Sequence, residues 1–555
     1  MQFIKQVIVI VFFFIGISTV NAQTIGVIQS DETSLEGYTF FSPFSGRKAW
    51  MVDNCGRLVN VWDRGTRPGL AAYFLENGML FRTYKPNTVG PFTSASNSGG
   101  IELVDWDNNT VWSYELNTDT QLSHHDAAYL PNGNVLLLTW ELVFEDEIIE
   151  LGRDPNEIAE QGFMWSERIV ELEPVGTNDA NIVWEWRIKD HYIQDFDATK
   201  ANFGVVAEHP ELFNINLPEL NSSNSNATRD WNHFNAIDYH PELDQILISV
   251  RNSDEIWILD HSTTTEEAAT HEGGRYGKGG DILYRWGNAS AYERAPVSEQ
   301  RFFGQHGVNW IREGLDDAGK IMIYNNGNGR PGTDYSTVEI LEPPMDANGG
   351  YILPETDAFG PENSSIIYGD EASEEFYSPY LSNAQRLGNG NTLVNAGSPG
   401  DVFEIDTDRN VLWHYVIPLS GDNPGTQGNN INNNSTFRAY KYPPDYAGFN
   451  DIDLMAGETI ENGENPIPCM LTAVENLETD LDLEVYYDVL SQSLQLKNRS
   501  SSELRILVSD MQGRALFRRE TKESAFSLPF FVFPKGVYVL SVFTNEGVFA
   551  YRFTK

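Results

Sequence analysis

Three histidines occupy corresponding positions in three separate segments of the sequence. His124 begins the segment HHDA, His233 begins HFNA and His306 begins HGVN. Each histidine stands at the start of a run typical of a β-strand, so the three side chains are expected to project into one shared space. Imidazole near neutral pH serves as nucleophile, general acid or base, or metal ligand. The spacing therefore predicts one site built from three histidines.

Strand alternation predicts the polar neighbours of these histidines. Residues two positions apart lie on the same face of a strand. We therefore expect Asp126 beside His124 and Asn235 beside His233, while His125 should point elsewhere.

Two chemistries fit this set of residues. Three imidazoles with an acidic neighbour could hold a transition metal. Arg251 ends the strand that follows His233, is expected to lie beside it, and would oppose a divalent cation. The alternative is an anion that one histidine attacks, while the others and Arg251 hold its oxygens through charge-assisted hydrogen bonds. We favour the anion and predict no metal.

The histidines belong to a sequence repeat that predicts the fold. A unit of four short strands, with Asn-Gly turns and a strand that often ends in tryptophan, recurs about six times between residues 38 and 440. Such a unit is the blade of a β-propeller. A single β-sandwich would be too small for these repeats. We therefore predict an all-β fold, with a six-bladed β-propeller over residues 35–450 followed by a small C-terminal β-sandwich.

Charge argues against one large class of partners. The chain has 555 residues, with 37 basic and 80 acidic side chains and a formal net charge of −43. So acidic a surface repels the phosphates of DNA and RNA, and nucleic acid is not an expected partner.

The two ends of the sequence differ from the repeats. Residues 1–22 hold an apolar stretch from Val7 to Ile17 and end in small and polar residues, which predicts a secretory signal peptide and export. Residues 485–555 carry 10 basic against 6 acidic side chains and alternate like strands, which predicts a separate module after a linker over 451–484. Cys55 and Cys469 either form one disulfide or remain isolated thiols.

The C-terminal segment resembles a known export module. The runs VSDMQGR (508–514) and FPKGVYVL (533–540) and the basic end at Lys555 are similar to the C-terminal sorting domain of the type IX secretion system. The resemblance implies the secretion machinery as a partner, a secreted or cell-surface location and removal of the module. An ordinary accessory β domain is the alternative.

The repeat region resembles the bacterial arylsulfotransferases that do not use a nucleotide sulfate donor. The similarity lies in the runs DHYIQDFD (190–197), DWNHFN (230–235), PELDQILISVRN (241–252), IWILDH (256–261), YRWGN (284–288) and FRAYKYPP (437–444). It covers about residues 35–450. It implies a six-bladed propeller, in agreement with the number of repeats.

The same resemblance implies a role for each candidate residue. His306 would be the nucleophile that becomes transiently sulfated. The oxygens of the sulfuryl group would be bound by His233, Asn235 and Arg251. His124 would be the remaining histidine, with His125 as the alternative if the register is shifted by one residue.

The reaction so implied is a ping-pong transfer from an aryl sulfate donor to a phenolic acceptor without a cofactor. His233 or His124 would serve as general acid and then base for the phenolic oxygens. A binding module for sulfated or anionic ligands, without turnover, is the main alternative, and a metal-dependent hydrolase or lyase is a third. A homodimer is left open.

Aromatic side chains should frame the aryl group, although core packing is the alternative explanation for each. The candidates are Tyr73, Trp140, Tyr335 and Tyr380. Five more histidines of the repeat region have no such pattern and are expected to be structural or solvated; they are His209, His240, His261, His271 and His414.

Overall fold

A computed structural model describes most of the chain. The described residues are 23–86, 91–217, 229–347, 349–371, 376–463, 483–488, 493–498, 504–510, 515–529, 537–543 and 548–554. The chain divides into two compact units, Met1–Ile467 and Pro468–Lys555. The signal peptide predicted over 1–22 and most of the linker predicted over 451–484 lie outside the described residues.

The first unit contains six antiparallel sheets, here numbered I to VI, whose strands are given from the inner to the outer edge. Sheet I comprises Thr436–Tyr442, Tyr38–Pro43, Lys48–Asp53 and Leu58–Asp63; sheet II comprises Pro68–Phe74, Leu80–Tyr84, Gly100–Val104 and Thr110–Glu115; sheet III comprises Gln121–Tyr129, Val135–Phe144, Phe163–Val175 and Asp179–Arg187. Sheet IV comprises Phe234–His240, Gln245–Val250, Glu255–Asp260 and Tyr284–Trp286; sheet V comprises His306–Trp310, Ile321–Asn325, Thr337–Leu341 and Ser365–Tyr368; sheet VI comprises Asn383–Arg386, Thr392–Ala396, Asp401–Ile405, Val411–Val416 and Gly26–Ser30. The prediction of an all-β fold is confirmed.

The middle strands of these sheets are apolar on both faces because each sheet packs between two others. In sheet IV, for example, the strand Gln245–Val250 is buried throughout. Six separate apolar clusters fill the spaces between successive sheets, including the space between sheet VI and sheet I. The six sheets therefore pack face to face in a closed ring, with the inner strand of each sheet contacting those of its two neighbours.

Strands from distant parts of the sequence close the ring. The inner strand of sheet I, Thr436–Tyr442, pairs with Tyr38–Pro43. At the outer edge of sheet VI, Gly26–Ser30 pairs with Val411–Val416. Sheet I is thus completed only when residues about 400 positions apart have met.

The insertions within and after sheets III and IV contain most of the short helices. The two α-helices of the described residues are Glu145–Glu150 and Thr265–Ala268, and the 3-10 turns are Pro155–Glu157, Ile188–His191, Val206–Glu208, Arg251–Ser253, Ala289–Tyr292, Val297–Glu299 and Ala447–Phe449. Two short pairs of strands, Tyr192–Ile193 with Phe213–Asn214 and Leu419–Ser420 with Asn423–Pro424, complete the unit. No helix among the described residues is long and apolar enough to cross a membrane.

The second unit is formed by two antiparallel sheets that share one apolar core. One sheet contains Leu483–Asp488, Ser493–Asn498 and Ala525–Pro529, and the other contains Ala515–Thr521, Leu504–Asp510, Val537–Phe543 and Val548–Thr554. Leu496 and Phe526 from the first sheet pack with Ile506 and Val542 from the second.

One of the two cysteines has a defined state. Cys55 is disulfide-bonded, which excludes the alternative of an isolated thiol at this position. The only other cysteine in the sequence is Cys469, which lies outside the described residues.

A partly buried histidine links sheet III to sheet IV. His261 hydrogen-bonds to Glu171 of sheet III and to Asp244 of the first turn in sheet IV, at 3.0 and 2.8 Å. Burial lowers the pKa of His261, but the two carboxylate hydrogen bonds outweigh it and raise that pKa to about 9.

We therefore predict that the free energy of unfolding depends on this histidine. The pKa is higher in the folded state than the usual 6.5, so the stabilisation is complete below pH 6.5 and lost as the pH rises through 9. The loss should be up to about 3 kcal/mol. Denaturant titrations at pH 6.5, 8 and 9.5 would measure it, with His261→Gln as the control that should show a smaller change. Equal pH dependence in both proteins would contradict the prediction.

Candidate functional site

Three histidines from adjacent sheets meet at the centre of the ring. They are His125 of sheet III, His233 beside the inner strand of sheet IV, and His306 of sheet V. The rings of His125 and His233 are in edge-to-face contact, with centroids 4.5 Å apart. His306 lies within electrostatic reach of both other histidines. It lowers the pKa of His125, and its own pKa is lowered by His233.

The register predicted for sheet III is wrong by one residue. Leu137 pairs with Ala127 but Thr139 pairs with Ser123, so three inner-strand residues face one on the next strand. This β-bulge interrupts the alternation of faces. His125 adopts a φ of 46° and His233 a φ of 59°. Residues other than glycine seldom occupy this left-handed backbone region. The bulge brings His125, rather than His124, against His233.

His306 has a defined hydrogen-bonding state. Its Nδ1 faces two acceptors, the carbonyl oxygen of Gly304 at 2.9 Å and Oδ1 of Asn326 at 2.8 Å. The amide of Asn326 cannot be reversed, because its nitrogen donates to the carbonyl oxygens of Ser378 and Leu381. Nδ1 of His306 therefore carries the proton, and Nε2 of the neutral ring carries the lone pair.

The protonation of His306 follows from its surroundings. Burial lowers its pKa well below the usual value, and the positive charges of Arg251 and Arg438 lower it further. The ring is therefore neutral at physiological pH. Among the described residues Nε2 has no hydrogen-bond partner, so a nucleophilic nitrogen is present at the centre of the ring.

His233 is supported by a carboxylate. Its Nδ1 lies 2.5 Å from Oδ2 of Asp230, which is fully buried. Asp230 was not identified from the sequence, although it stands three residues before His233 in one of the runs that carry the resemblance. A carboxylate behind an imidazole fixes the orientation of the ring.

Arg251 and Asn235, two residues predicted for the site, are adjacent to the histidines and contact the backbone around them. Arg251 is buried, and its backbone nitrogen donates to the carbonyl oxygen of His233 at 3.2 Å. The side-chain nitrogen of Asn235 donates to the carbonyl oxygen of Gln305 at 2.8 Å. Asn235 therefore holds the segment that precedes His306, in addition to standing next to the histidines.

A second arginine, Arg438, was missed by the sequence analysis. It lies on the inner strand of sheet I, is 4 % exposed and donates to the carbonyl oxygens of Ser382 and Asn235. Its guanidinium lies 3.7 Å from Asp126 and stacks on the ring of Phe437. Arg438 stands within the run FRAYKYPP, and this was the only signal available.

His124 lies behind the site rather than in it. Its ring stacks on Trp140 with centroids 4.0 Å apart. Its Nδ1 meets Nδ1 of His125 at 2.8 Å, and its Nε2 meets Oε2 of Glu167 at 3.0 Å. Burial lowers the pKa of His124 to about 3 and raises that of Glu167 well above its usual value. Histidine and glutamic acid are therefore both neutral.

The other half of the ring centre is apolar. Leu70 of sheet II, Leu381 at the start of sheet VI and Phe437 of sheet I form one buried cluster. The ring of Phe437 lies 6.4 Å from that of His125. The centre thus presents histidines from sheets III, IV and V on one side and apolar side chains from sheets VI, I and II on the other.

The predicted aromatic residues do not form this apolar wall. Trp140 is fully buried behind His124. Tyr73 donates its hydroxyl to Asp126 and packs against Tyr440. Tyr335 stacks with Arg330, and Tyr380 is 50 % exposed.

A second cluster of ligand-type side chains lies outside the ring centre. Nδ1 atoms of His191 and His271 lie 2.8 and 2.7 Å from Oδ1 of Asp281. Two ligands of one zinc ion stand about 3.3 Å apart, given bonds of about 2.0–2.1 Å in a tetrahedron. The observed spacing is that of hydrogen bonds. His271 and Asp281 therefore fasten the loop after helix Thr265–Ala268 onto His191.

The fold and the site together define a ring of antiparallel sheets whose centre is suited to an anion with an apolar substituent. Comparison of the sequence with protein families agrees. The arylsulfotransferase (ASST) family matches residues 74–415, which is more than half of the chain. The chain belongs to this family. No curated protein matches it significantly.

Several solved structures are similar at low identity. A protein of unknown function from Bacteroides caccae is 10 % identical, with 69 % of this chain and 94 % of that chain covered and a TM-score of 0.35. A streptogramin B lyase is 11 % identical, with coverages of 73 % and 86 % and a TM-score of 0.33. A periplasmic gluconolactonase from Pseudomonas aeruginosa is 9 % identical, with coverages of 89 % and 99 % and a TM-score of 0.32.

We predict that His306 remains neutral, with its proton on Nδ1, from pH 8 down to pH 5. Burial and the two neighbouring arginines oppose a second proton. Nitrogen NMR of ¹⁵N-histidine-labelled protein would show a protonated Nδ1 and an unprotonated Nε2, assigned by their loss in His306→Gln. A signal that titrates near pH 6.5 would contradict the prediction.

Proposed function

We propose that the first unit is a six-bladed β-propeller enzyme that moves a sulfuryl group from an aryl sulfate to a phenol through a sulfated His306. One observation carries the proposal: the neutral His306 directs an unprotonated Nε2 into a buried centre with two arginines. Family membership supports sulfotransferase activity. The six sheets packed in a ring support the blade count.

The first half-reaction forms an N–S bond and breaks the S–O bond to the aryl oxygen. The lone pair of Nε2 attacks sulfur, and the bonding electrons leave with the phenolate. Because Nδ1–H of His306 is held by Gly304 and Asn326, the positive charge that develops on the ring is stabilised by two acceptors. The second half-reaction returns the group to the oxygen of another phenol.

Positive and hydrogen-bonding groups would hold the moving sulfuryl group. Its charge spreads over three equatorial oxygens, so preorganised donors in a dry site stabilise the transition state. Arg251 and Arg438 supply positive charge near His306, and His233, whose ring is oriented by Asp230, adds a hydrogen-bonding group. Asn235 contributes mainly by positioning, since its amide is engaged with the backbone before His306.

The aryl ring would rest against the apolar half of the centre. Leu70, Leu381 and Phe437 are buried there, the histidines lie on the opposite side, and Arg438, which stacks on Phe437, lies at the edge of the apolar half. An aryl sulfate has the same division between an apolar ring and an anionic group, so the substrate matches the site from end to end.

Export, the sorting function of residues 485–555 and a homodimer remain proposals that rest on the sequence. The two sheets of the second unit are compatible with the proposed sorting module. Secretion of the full chain and cleavage of this module would be tested by mass determination of the exported protein.

We predict that the purified full chain, with its disulfide intact, releases nitrophenolate from 4-nitrophenyl sulfate in the presence of added phenol, with a chelator and without nucleotide. His306→Ala should lower the rate by a factor on the order of 10³ or more, with circular dichroism unchanged. Activity abolished by the chelator would favour a metal-dependent hydrolase. Ligand binding without turnover in the folded wild-type protein would favour a binding module.

A further prediction concerns Arg438. Removing one preorganised donor of an anionic transition state costs roughly 10²–10³-fold in kcat, so Arg438→Gln should have a loss of this size. Arg409, an exposed arginine on sheet VI, provides the control variant Arg409→Gln. Equal rates for the Arg438 variant and the wild type would exclude Arg438 from the site.

A further inference from the structure

Glu167 is an unusual buried acid in this protein. Three glutamates of the described residues are 0 % exposed: Glu167, Glu255 and Glu404. Glu255 is paired with Arg285 at 2.6 Å and Glu404 with Lys441 at 2.9 Å. Among the described residues, Glu167 has no arginine or lysine partner. The side chains that hydrogen-bond to it there are those of His124 and Trp140. Glu167 is therefore held as a neutral acid where other buried glutamates are paired anions.

The hydrogen bonds from Glu167 lead to the site without interruption. Oε2 of Glu167 meets Nε2 of His124, and Nδ1 of His124 meets Nδ1 of His125. Each contact holds one proton. If Glu167 is protonated, its proton lies on Oε2, that of His124 on Nδ1 and that of His125 on Nε2, because each neutral imidazole carries one. The far nitrogen of His125 is then a donor at the ring centre.

The same series of hydrogen bonds has a second state, in which the direction of each hydrogen bond is reversed. If Glu167 is ionised, the proton of His124 lies on Nε2 and that of His125 on Nδ1, and Nε2 of His125 becomes an acceptor. A single proton passed through three groups converts one state into the other. We propose that Glu167, His124 and His125 form a proton relay that supplies a proton to the departing phenolate and takes one from the incoming phenol.

This inference rests on the proposed function and deepens it. When Nε2 of His306 takes the sulfuryl group, the aryl oxygen receives the proton from Nε2 of His125. Nδ1 of His125 takes the proton of His124, and Nε2 of His124 takes the proton of Glu167. The products are a neutral phenol, a sulfated His306 and the carboxylate of Glu167, so the total charge is unchanged. The second half-reaction restores the acid.

The surroundings of Glu167 permit both states. Its Oε1 accepts from the backbone nitrogen of Phe234 at 2.9 Å and from Nε1 of Trp140 at 3.3 Å, which supports the anion. Burial and the negative charge of Asp230 raise its pKa, whereas His233 lowers it. The hydroxyl of Tyr192 also lies within electrostatic reach. The acid is thus stable at rest and able to part with its proton while His306 carries positive charge.

His125 is better placed for the aryl oxygen than His233. Its ring lies at the boundary between the two halves of the centre, 6.4 Å from that of Phe437. The aryl oxygen must lie at this boundary, since it joins the apolar ring to the sulfuryl group. His233 is held in place by Asp230 and serves the sulfuryl oxygens. Glu167 and His124 act through His125 and are positioning residues.

The relay predicts that Glu167→Gln acts selectively on poor leaving groups. Glutamine keeps the size and can donate to His124, so it preserves the resting arrangement but cannot release a proton. We expect kcat/KM for phenyl sulfate to fall roughly 10²-fold. The phenolate released from 4-nitrophenyl sulfate needs little protonation, so kcat/KM for that donor should change by less than about 3-fold. The rates are measured with a saturating phenolic acceptor.

Glu171→Gln is the matched control. Glu171 lies on the same strand as Glu167 and also contacts a histidine, His261, but it is not a member of the relay. Glu171→Gln should leave kcat/KM for both donors unchanged. A loss in Glu167→Gln that is equal for the two donors, or absent for both, would overturn the relay while the proposed function stands. If the wild-type protein uses neither donor, the proposed function fails and the relay with it.

A measurement on the wild-type protein covers the case in which Glu167→Gln does not fold. With phenyl sulfate, the rate in mixtures of H₂O and D₂O should depend on deuterium content along a curve, because several protons move in one step. With 4-nitrophenyl sulfate the isotope effect should be small. A straight line for phenyl sulfate indicates a single moving proton and would overturn the relay.

Discussion

Burial of the side chains at the centre of the ring is the constraint on which the site depends. In a dry interior each charge must meet a partner or be neutralised. His233 and Asp230 meet as a pair, whereas His306 and His124 are held neutral by burial. Under the proposed function, histidine would therefore serve as a hydrogen-bonding group for the anion, as the nucleophile and as a member of the proton relay, and the packing around each ring would decide which. The same dryness strengthens the attraction of Arg251 and Arg438 for an anion.

The repeated pattern of short strands was sufficient to predict the all-β fold, because alternation and turn residues are local properties of the sequence. The position of His306 at the start of an inner strand follows from the same pattern. The choice between His124 and His125 could not be made in this way. It depends on a β-bulge and on a left-handed backbone at His125, and strict alternation along a strand predicts neither of them.

The residues that were missed share one property: their role depends on contacts between distant parts of the chain. Arg438 enters the site because sheet I takes its inner strand from residues 436–442. Glu167 is one of several acidic residues on an alternating strand, and no local signal separates it from Glu171. Only the packing shows that one meets His124 and the other meets His261.

The closure of the ring has a consequence for the appearance of activity. Side chains of the site come from positions as far apart as Leu70 and Arg438, and the last of them arrives with the strand that completes sheet I. A chain that has built five sheets still lacks Arg438 and Phe437, so it has neither the second cation nor part of the apolar wall. Turnover would therefore begin only with the final strand, and catalytic activity would report completed folding rather than partial structure.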